Sequence, residues 1–223
     1  MKRFAFFDVD DTLITVKSMF DFFRYWTLEW RRESAALEAF EREFSQLRAA
    51  GESRENLNRA YYRYFAGIRS EDIERAGAAW ASAWLAHPER FFIAAPVHLL
   101  RELSADGVEP VFVSGSFDAV LRPIADHLSV TNILAAPLEL RADGCYTGRI
   151  GTPQTIGAGK AVAIRNFLSE QKVRADVCLA VGDDISDLPM LQSVGTAVVV
   201  GEHPQLTEIA DARSWRRLPA MAE

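Results

Sequence analysis

The sequence predicts a doubly wound α/β fold, a mostly parallel sheet with helices on both faces, interrupted by one all-helical insertion. Three observations lead there. Short apolar runs end in small or acidic residues, as strands buried on both faces do. From about residue 96 these runs alternate with helical stretches, the pattern of strand-helix-strand units. The segment 17–95 contains no convincing strand. The chain therefore divides into a sheet unit of residues 1–16 and 96–223 and an insertion of residues 17–95.

Taken in order, Phe4 to Val9 is the first strand, broken by acidic residues at its end. The insertion follows, rich in Ala, Glu and Arg with apolar residues at helical spacing, and joined to the rest through short connections near Ile14 to Val16 and Ala94 to Pro96. It holds 16 of the 24 aromatic residues. Rings at i, i+3 and i+4 face neighbouring helices, so this density reads first as packed helical core and second as the wall of an apolar pocket. Pro110 to Val113 is the next strand, ahead of Ser114-Gly115, and Phe117 to Leu128 the next helix. Two alternating runs between Leu138 and Ile150 flank Ala142-Asp143-Gly144, a hairpin signal. A helix over Ala158 to Glu170 leads to a strand over Val177 to Val181, which ends in Gly182-Asp183. A helix over Asp187 to Ser193 and a strand over Ala197 to Val200 complete the pattern.

Composition narrows the function. The chain has 223 residues, 49% of them hydrophobic, which suffices for a buried core and excludes a disordered or low-complexity class. Lys+Arg number 25 against 31 Asp+Glu, a net charge of -6, so no global cationic field exists to hold nucleic acid or anionic lipid. Cys145 and Cys178 have no metal-ligand spacing and form no disulfide framework. No apolar run is long enough for a membrane span, and the short run after Met1-Lys2-Arg3 is cut by Asp8, so neither an anchor nor a signal peptide is expected and the expected location is the cytoplasm.

Open parallel sheets bind ligands at the carboxyl ends of their strands. There the sequence places Asp8-Val9-Asp10-Asp11-Thr12-Leu13, then Ser114-Gly115-Ser116, and later Gly182-Asp183-Asp184-Ile185-Ser186-Asp187, with Gly157-Ala158-Gly159-Lys160 opening a helix. Either acidic cluster alone is compatible with a turn or a helix cap. Two clusters on neighbouring strands would repel each other, and a hard divalent cation held by carboxylates, a backbone carbonyl and waters resolves the repulsion; Mg2+ suits such an all-oxygen site. Lys160 at a helix start, with Ser114 and the N–H of Gly115, supplies donors for an anion such as phosphate.

These four segments, in this order, resemble the four motifs of the haloacid dehalogenase-like hydrolase superfamily, and within it the phosphoserine phosphatase-like branch, subfamily IB, with a helical C1-type cap between the first and second motifs. Asp8-Val-Asp-Asp-Thr-Leu13 matches D-x-D-x-T-L, Val113-Ser114-Gly115-Ser116 the second motif, Lys160 the third, and Gly182-Asp183 to Asp187 the fourth. The resemblance implies a Rossmann-like catalytic unit over residues 1–16 and 96–223 and a cap over 17–95 that sets substrate choice. It also implies a Mg2+-dependent phosphatase acting on a small phosphorylated metabolite through an aspartyl-phosphate. In those roles Asp8 is the nucleophile and Asp10 the general acid and base. Ser114, Gly115 and Lys160 hold the phosphate, Asp8, the Asp10 carbonyl and Asp183 hold the metal, and Asp184 and Asp187 support them. An acid two residues after the nucleophile serves ester cleavage, which needs a proton on the leaving oxygen, and has no use in dehalogenation.

The resemblance leaves substrate choice open. Serine-specific members carry a glutamate seven residues after the second aspartate of the first motif, to bind the amine; that position here is Lys17, of opposite charge. It would repel an ammonium and attract a carboxylate or second phosphate, the plainer reading being a solvated lysine. Arg59 and Arg63 are the candidates, by region, for a carboxylate-binding arginine. Phosphoserine phosphatase proper is one alternative; a non-catalytic phospho-ligand-binding protein, which predicts a broken motif, is another.

Overall fold

The computed structural model describes residues 2–220. Strand β1 (Phe4–Phe7) leads into the insertion, which comprises helices α1 (Ser18–Tyr25), continued by a π-helical turn Trp26–Trp30, α2 (Ser34–Ala49), α3 (Arg54–Arg63), α4 (Ser70–Leu85) and the short α5 (Pro88–Phe91). Then come α6 (Ala94–Ala105), β2 (Glu109–Val113), α7 (Asp118–His127), β3 (Asn132–Leu134), and the hairpin β4 (Leu138–Leu140) with β5 (Tyr146–Ile150). The remainder is α8 (Ala158–Gln171), β6 (Leu179–Gly182), α9 (Leu188–Leu191), β7 (Thr196–Val200), α10 (Pro204–Ala212) and β8 (Arg216–Leu218).

The main sheet is parallel throughout in the order β3-β2-β1-β6-β7-β8. Leaving the hairpin aside, this is the Rossmann-like order in which the chain winds outward one way and then, from the centre, the other. The reversal falls between β1 and β6, so a crevice must open at the carboxyl ends of these two strands. Register fixes what stands there: Phe7 pairs with both Phe112 and Val181, so Asp8, Val113-Ser114 and Gly182-Asp183 leave the sheet at one level.

Alternation along each strand builds two cores. Phe4 and Phe6 face one way, where with Val111, Val113, Ala180 and Val199 they meet α8, α9 and α10 through Ile164, Phe167, Met190 and Leu206. Ala5 and Phe7 face the other way, toward α6 and α7. That second core continues without a break into the insertion, through Phe117 of the loop before α7 to Phe22, Tyr61, Phe65 and Trp80. The aromatic residues of the insertion are mostly this packing: Phe23 stacks on Phe40 at 4.1 Å between ring centres, and Tyr61, Tyr62 and Phe65 all lie against Phe117. The chain enters and leaves the insertion along one antiparallel ribbon, in which Thr15 N–H donates to Phe91 carbonyl and Ile93 N–H to Leu13 carbonyl, each at 2.9 Å.

Several elements differ from the sequence expectation. Ala175–Val177 is a 3-10 turn, and the strand expected from Val177 begins at Leu179. The helix expected over Asp187 to Ser193 is a 3-10 turn, Ile185–Asp187, followed by a single α turn starting at Leu188 with Pro189 in its first positions, where a missing N–H costs nothing. Strands β3 and β8 are additional. Asn132-Ile-Leu and Arg216-Arg-Leu carry no apolar run of strand length, because edge strands are half solvated; the arginines of β8 also discourage pairing with other chains.

The junction of insertion and sheet unit is closest where α4 crosses α7. A Cβ on Gly77 would lie 2.1 Å from the carbonyl oxygen of Ala119 and 2.9 Å from its carbon. Backbone cannot rotate out of the way as a side chain can, so Gly77→Ala must push the helices apart. We expect this variant to lose about 3 kcal/mol of stability, the upper end for overpacking, read as a lower urea midpoint with unchanged slope.

Candidate active site

Each segment at the sheet's carboxyl edge is shaped by local bonds. After β1, Asp8 N–H donates to Val181 carbonyl at 2.9 Å, and the Val9 carbonyl accepts from the N–H groups of Thr12, Leu13 and Ile14. The turn requires a left-handed residue at Asp11, φ 62°, which an aspartate tolerates better than most side chains. After β2, Ser114 Oγ accepts from Ser116 N–H at 3.1 Å and the Ser114 carbonyl accepts from Thr155 Oγ1 at 2.5 Å. Tyr62 of α3 donates its hydroxyl to the Gly115 carbonyl at 2.8 Å, so the insertion grips this loop. After β6, the carboxylate of Asp187 folds back and its Oδ2 accepts from the N–H groups of Asp183 and Asp184 at 3.2 and 3.3 Å. Gly182 permits this, since a Cβ there would sit 2.7 Å from Asp187 Oδ2.

Lys160, in the first turn of α8, ties the loops together. Its ammonium donates to Asp8 Oδ1 and to Asp187 Oδ1, each at 2.6 Å, and all three side chains are buried. Thr12 Oγ1 adds a bond to Asp183 Oδ1 at 2.8 Å. Oxygens of Asp8, Asp183 and Asp187 all lie within 4.8 Å of one another. One lysine does not neutralise that density of negative charge. Burial, and then the neighbouring Asp8 and Asp187, push the Asp183 carboxyl up to about 8. Asp187 is raised by burial and by Asp8, against the pull of Lys160. Burial works against the charge on Lys160, yet Asp187 and Asp8 hold its pKa above the ordinary lysine value. Asp10 is pushed up to about 7 by burial and then by Asp8, against the pull of Ser18, and its Oδ1 has no hydrogen-bond partner among the described residues. An all-oxygen, over-negative cluster fits a hard divalent cation such as Mg2+, with carboxylates of Asp8 and Asp183 as donors.

A cavity of about 560 Å3 lies over this cluster, between the sheet edge and α3. Asp8, Asp10, Ser114, Gly115, Lys160, Asp183, Asp184 and Asp187 all line it. Lys17 lines it too and pairs with Asp11 at 2.7 Å. Arg59 and Arg63 are not among its lining residues: Arg63 pairs with Glu43 at 2.9 Å and Arg59 faces Gln154. The arginines that reach the cavity are Arg48 and Arg54. Arg54 donates to Ser186 Oγ at 2.7 Å and pairs with Asp184 at 3.1 Å, closing α3 onto the loop after β6. No site role was read from sequence for Arg48, Arg54, Asn58 or Tyr62, nor for His203, whose Nε2 is 3.9 Å from Asp184; Thr12 stood only as part of the first motif. For the residues of α3 the available signal was helical phase: Arg54, Leu57, Asn58 and Tyr61 recur at helical spacing, and all four line the cavity.

Known proteins agree with this arrangement. The family model described as haloacid dehalogenase-like hydrolase matches residues 5–192. A phosphoserine phosphatase of Mycobacterium tuberculosis is 35% identical over 113 residues, 51% of this chain and 27% of that protein, so the chain spans about a quarter of that relative's length. Among solved structures, a protein with unknown function from Bordetella pertussis Tohama I superposes with a TM-score of 0.85 at 24% identity, covering 99% of this chain and 100% of that one. A substrate-bound phosphoserine phosphatase does so with a TM-score of 0.66 at 20% identity, covering 98% and 93%. These structural likenesses establish a shared fold, and the family match extends over all four motif segments: the chain belongs to the haloacid dehalogenase-like hydrolase family.

Proposed function

We propose that this chain is a Mg2+-dependent phosphatase that hydrolyses a small organic phosphomonoester through an aspartyl-phosphate. The observation that carries the reading is the convergence of Asp8, Lys160, Asp183 and Asp187, drawn from three distant segments, in one cavity with Asp10 and Ser114. Asp8, the Asp10 carbonyl and Asp183 are the groups to hold the metal, which when bound offsets charge between carboxylate and phosphate.

The steps then belong to the chain's own residues. A carboxylate oxygen of Asp8 forms a bond to phosphorus as the bond from phosphorus to the alcohol oxygen breaks. Lys160 already holds Oδ1 of Asp8, leaving Oδ2 without a protein donor among the described residues. Ser114, the Gly115 N–H and Lys160 bind the oxygens of the transferring group. Asp10 gives the leaving oxygen its proton, a role suited to a carboxyl that burial raises to about 7. It later receives a proton from the water that attacks phosphorus and frees Asp8 and inorganic phosphate. Residues 17–95 act as the cap that keeps water out during the first step and readmits it for the second, and the remainder as the catalytic unit.

Phosphoserine as the substrate is supported by the names of relatives; Lys17 in the cavity opposes it, because it stands where serine-specific members carry the carboxylate that binds the substrate's ammonium. The two are separated by comparing O-phospho-L-serine with other esters in a released-phosphate assay. For the reaction itself, Asp8→Asn removes the nucleophile but keeps an oxygen for Lys160. We expect turnover of p-nitrophenyl phosphate to fall by about a thousandfold or more with the fold retained by circular dichroism. Wild-type protein with Mg2+ that hydrolyses no phosphate ester would favour a phospho-ligand binder instead. For the metal, Mg2+ added to chelator-treated protein is expected to raise the melting temperature, and Asp183→Asn to remove that increment. In chelator the variant should melt no lower than wild type, since it relieves repulsion from Asp8 and Asp187; an unchanged Mg2+ increment would place the ion elsewhere.

A further inference from the structure

Helix α3 turns a partly polar face, Arg54, Leu57, Asn58 and Tyr61, toward the cavity. Asn58 is the unusual member. It is 3% exposed, lies inside a helix where asparagine is disfavoured, and neither its Oδ1 nor its Nδ2 has a hydrogen-bond partner among the described residues. A leucine has the same branched outline and buries neither a donor nor an acceptor. Two other cavity residues share the condition: Ser116 Oγ and Asp10 Oδ1 are also buried and, among the described residues, unpartnered. Polar atoms so placed are costly unless something enclosed with them completes their bonds.

Of the cations that line the cavity, Lys17 is already paired with Asp11 and Arg54 with Asp184 and Ser186, while Arg48 lies over the Phe20 ring, 5.9 Å from its centre. A carboxylate beside Asn58 completes only its Nδ2 donor and an ammonium only its Oδ1 acceptor, each leaving the other end unpaired. A hydroxyl both donates and accepts, and satisfies either end of a carboxamide as well as Ser116. The remaining walls, from Met19, Phe20, Leu57, Tyr61 and Ile156, suit the C–H faces of a carbon chain or ring.

We infer that Asn58 is a specificity-determining residue that selects a hydroxylated alcohol, so that the substrate is a polyol or sugar phosphate. This rests on the phosphatase reading, and the experiment separates the two. p-Nitrophenyl phosphate reports the chemistry irrespective of the alcohol; if it and every other ester are inert, the phosphatase reading falls and this inference with it. If it is hydrolysed, the inference stands on two further comparisons. Wild-type protein is expected to show kcat/KM at least about tenfold higher for glycerol 3-phosphate or a hexitol phosphate than for n-propyl phosphate, which lacks the hydroxyls, and higher than for O-phospho-L-serine. Asn58→Leu is expected to lower the ratio of polyol phosphate to p-nitrophenyl phosphate turnover by about tenfold while raising the melting temperature by about 2–4 °C, because the partnerless amide is gone. Propyl phosphate turned over as efficiently as the polyol ester overturns the inference without reference to any variant. So does an Asn58→Leu protein that melts lower with its substrate ratio unchanged, the signature of a purely structural amide.

Discussion

The paired bonds from Lys160 to Asp8 and Asp187 are the constraint around which the rest is arranged. A buried lysine is tolerable only with carboxylates against it, and buried carboxylates only with a cation between them. Breaking either bond would strand a charge away from water. Helix α8 must therefore present its first turn to the crevice between β1 and β6, and the loop after β6 must fold back on itself to bring Asp187 inward. The small residue at Gly182 and the N–H groups of Asp183 and Asp184 are parts of that same fold-back. The lysine satisfies two of the acids and leaves Asp183 over-negative, and that residue of unbalanced charge makes the cluster fit a divalent ion.

The insertion is bound to the site by more than its position. Its aromatic core is continuous with one face of the sheet, Gly77 lets α4 approach the backbone of Ala119, and Tyr62 holds the carbonyl of Gly115. Arg54 closes the other side against Asp184 and Ser186. The loops that carry the acidic cluster and the helices that wall the cavity are thus parts of one packed structure. A change of side chain on the inner face of α3 alters the cavity without touching the sheet.

The sheet's central strands were legible because burial on both faces leaves an unbroken apolar run, and the acids and small residues that end each run are conspicuous by contrast. The edge strands were not, since Arg216-Arg217-Leu218 and Asn132-Ile133-Leu134 are half solvated and carry no such run. The four motif segments were legible for the same reason as the central strands: strand ends at a change of winding direction are where an open sheet gathers ligands. The arginines were not. Arg59 and Arg63 lie in the same stretch of helix as Arg54, and nothing in composition distinguishes an arginine that faces Gln154 or Glu43 from one that faces the cavity. Helical phase separates them only once the direction of the helix is known.

The sequence by itself determined the class of fold, the order of the segments that carry chemistry and the excess of acid among them, because these depend on local periodicity and on which residues end each strand. Only the tertiary structure decided that Lys160 stands between Asp8 and Asp187, that Arg54 rather than Arg59 or Arg63 reaches the cavity, and that Asn58 lies buried there without a partner among the described residues. Each of these joins residues of different elements. The Lys160–Asp8 contact spans 152 positions of chain, and a contact of that kind is set by how helices and strands dock, which no local pattern encodes.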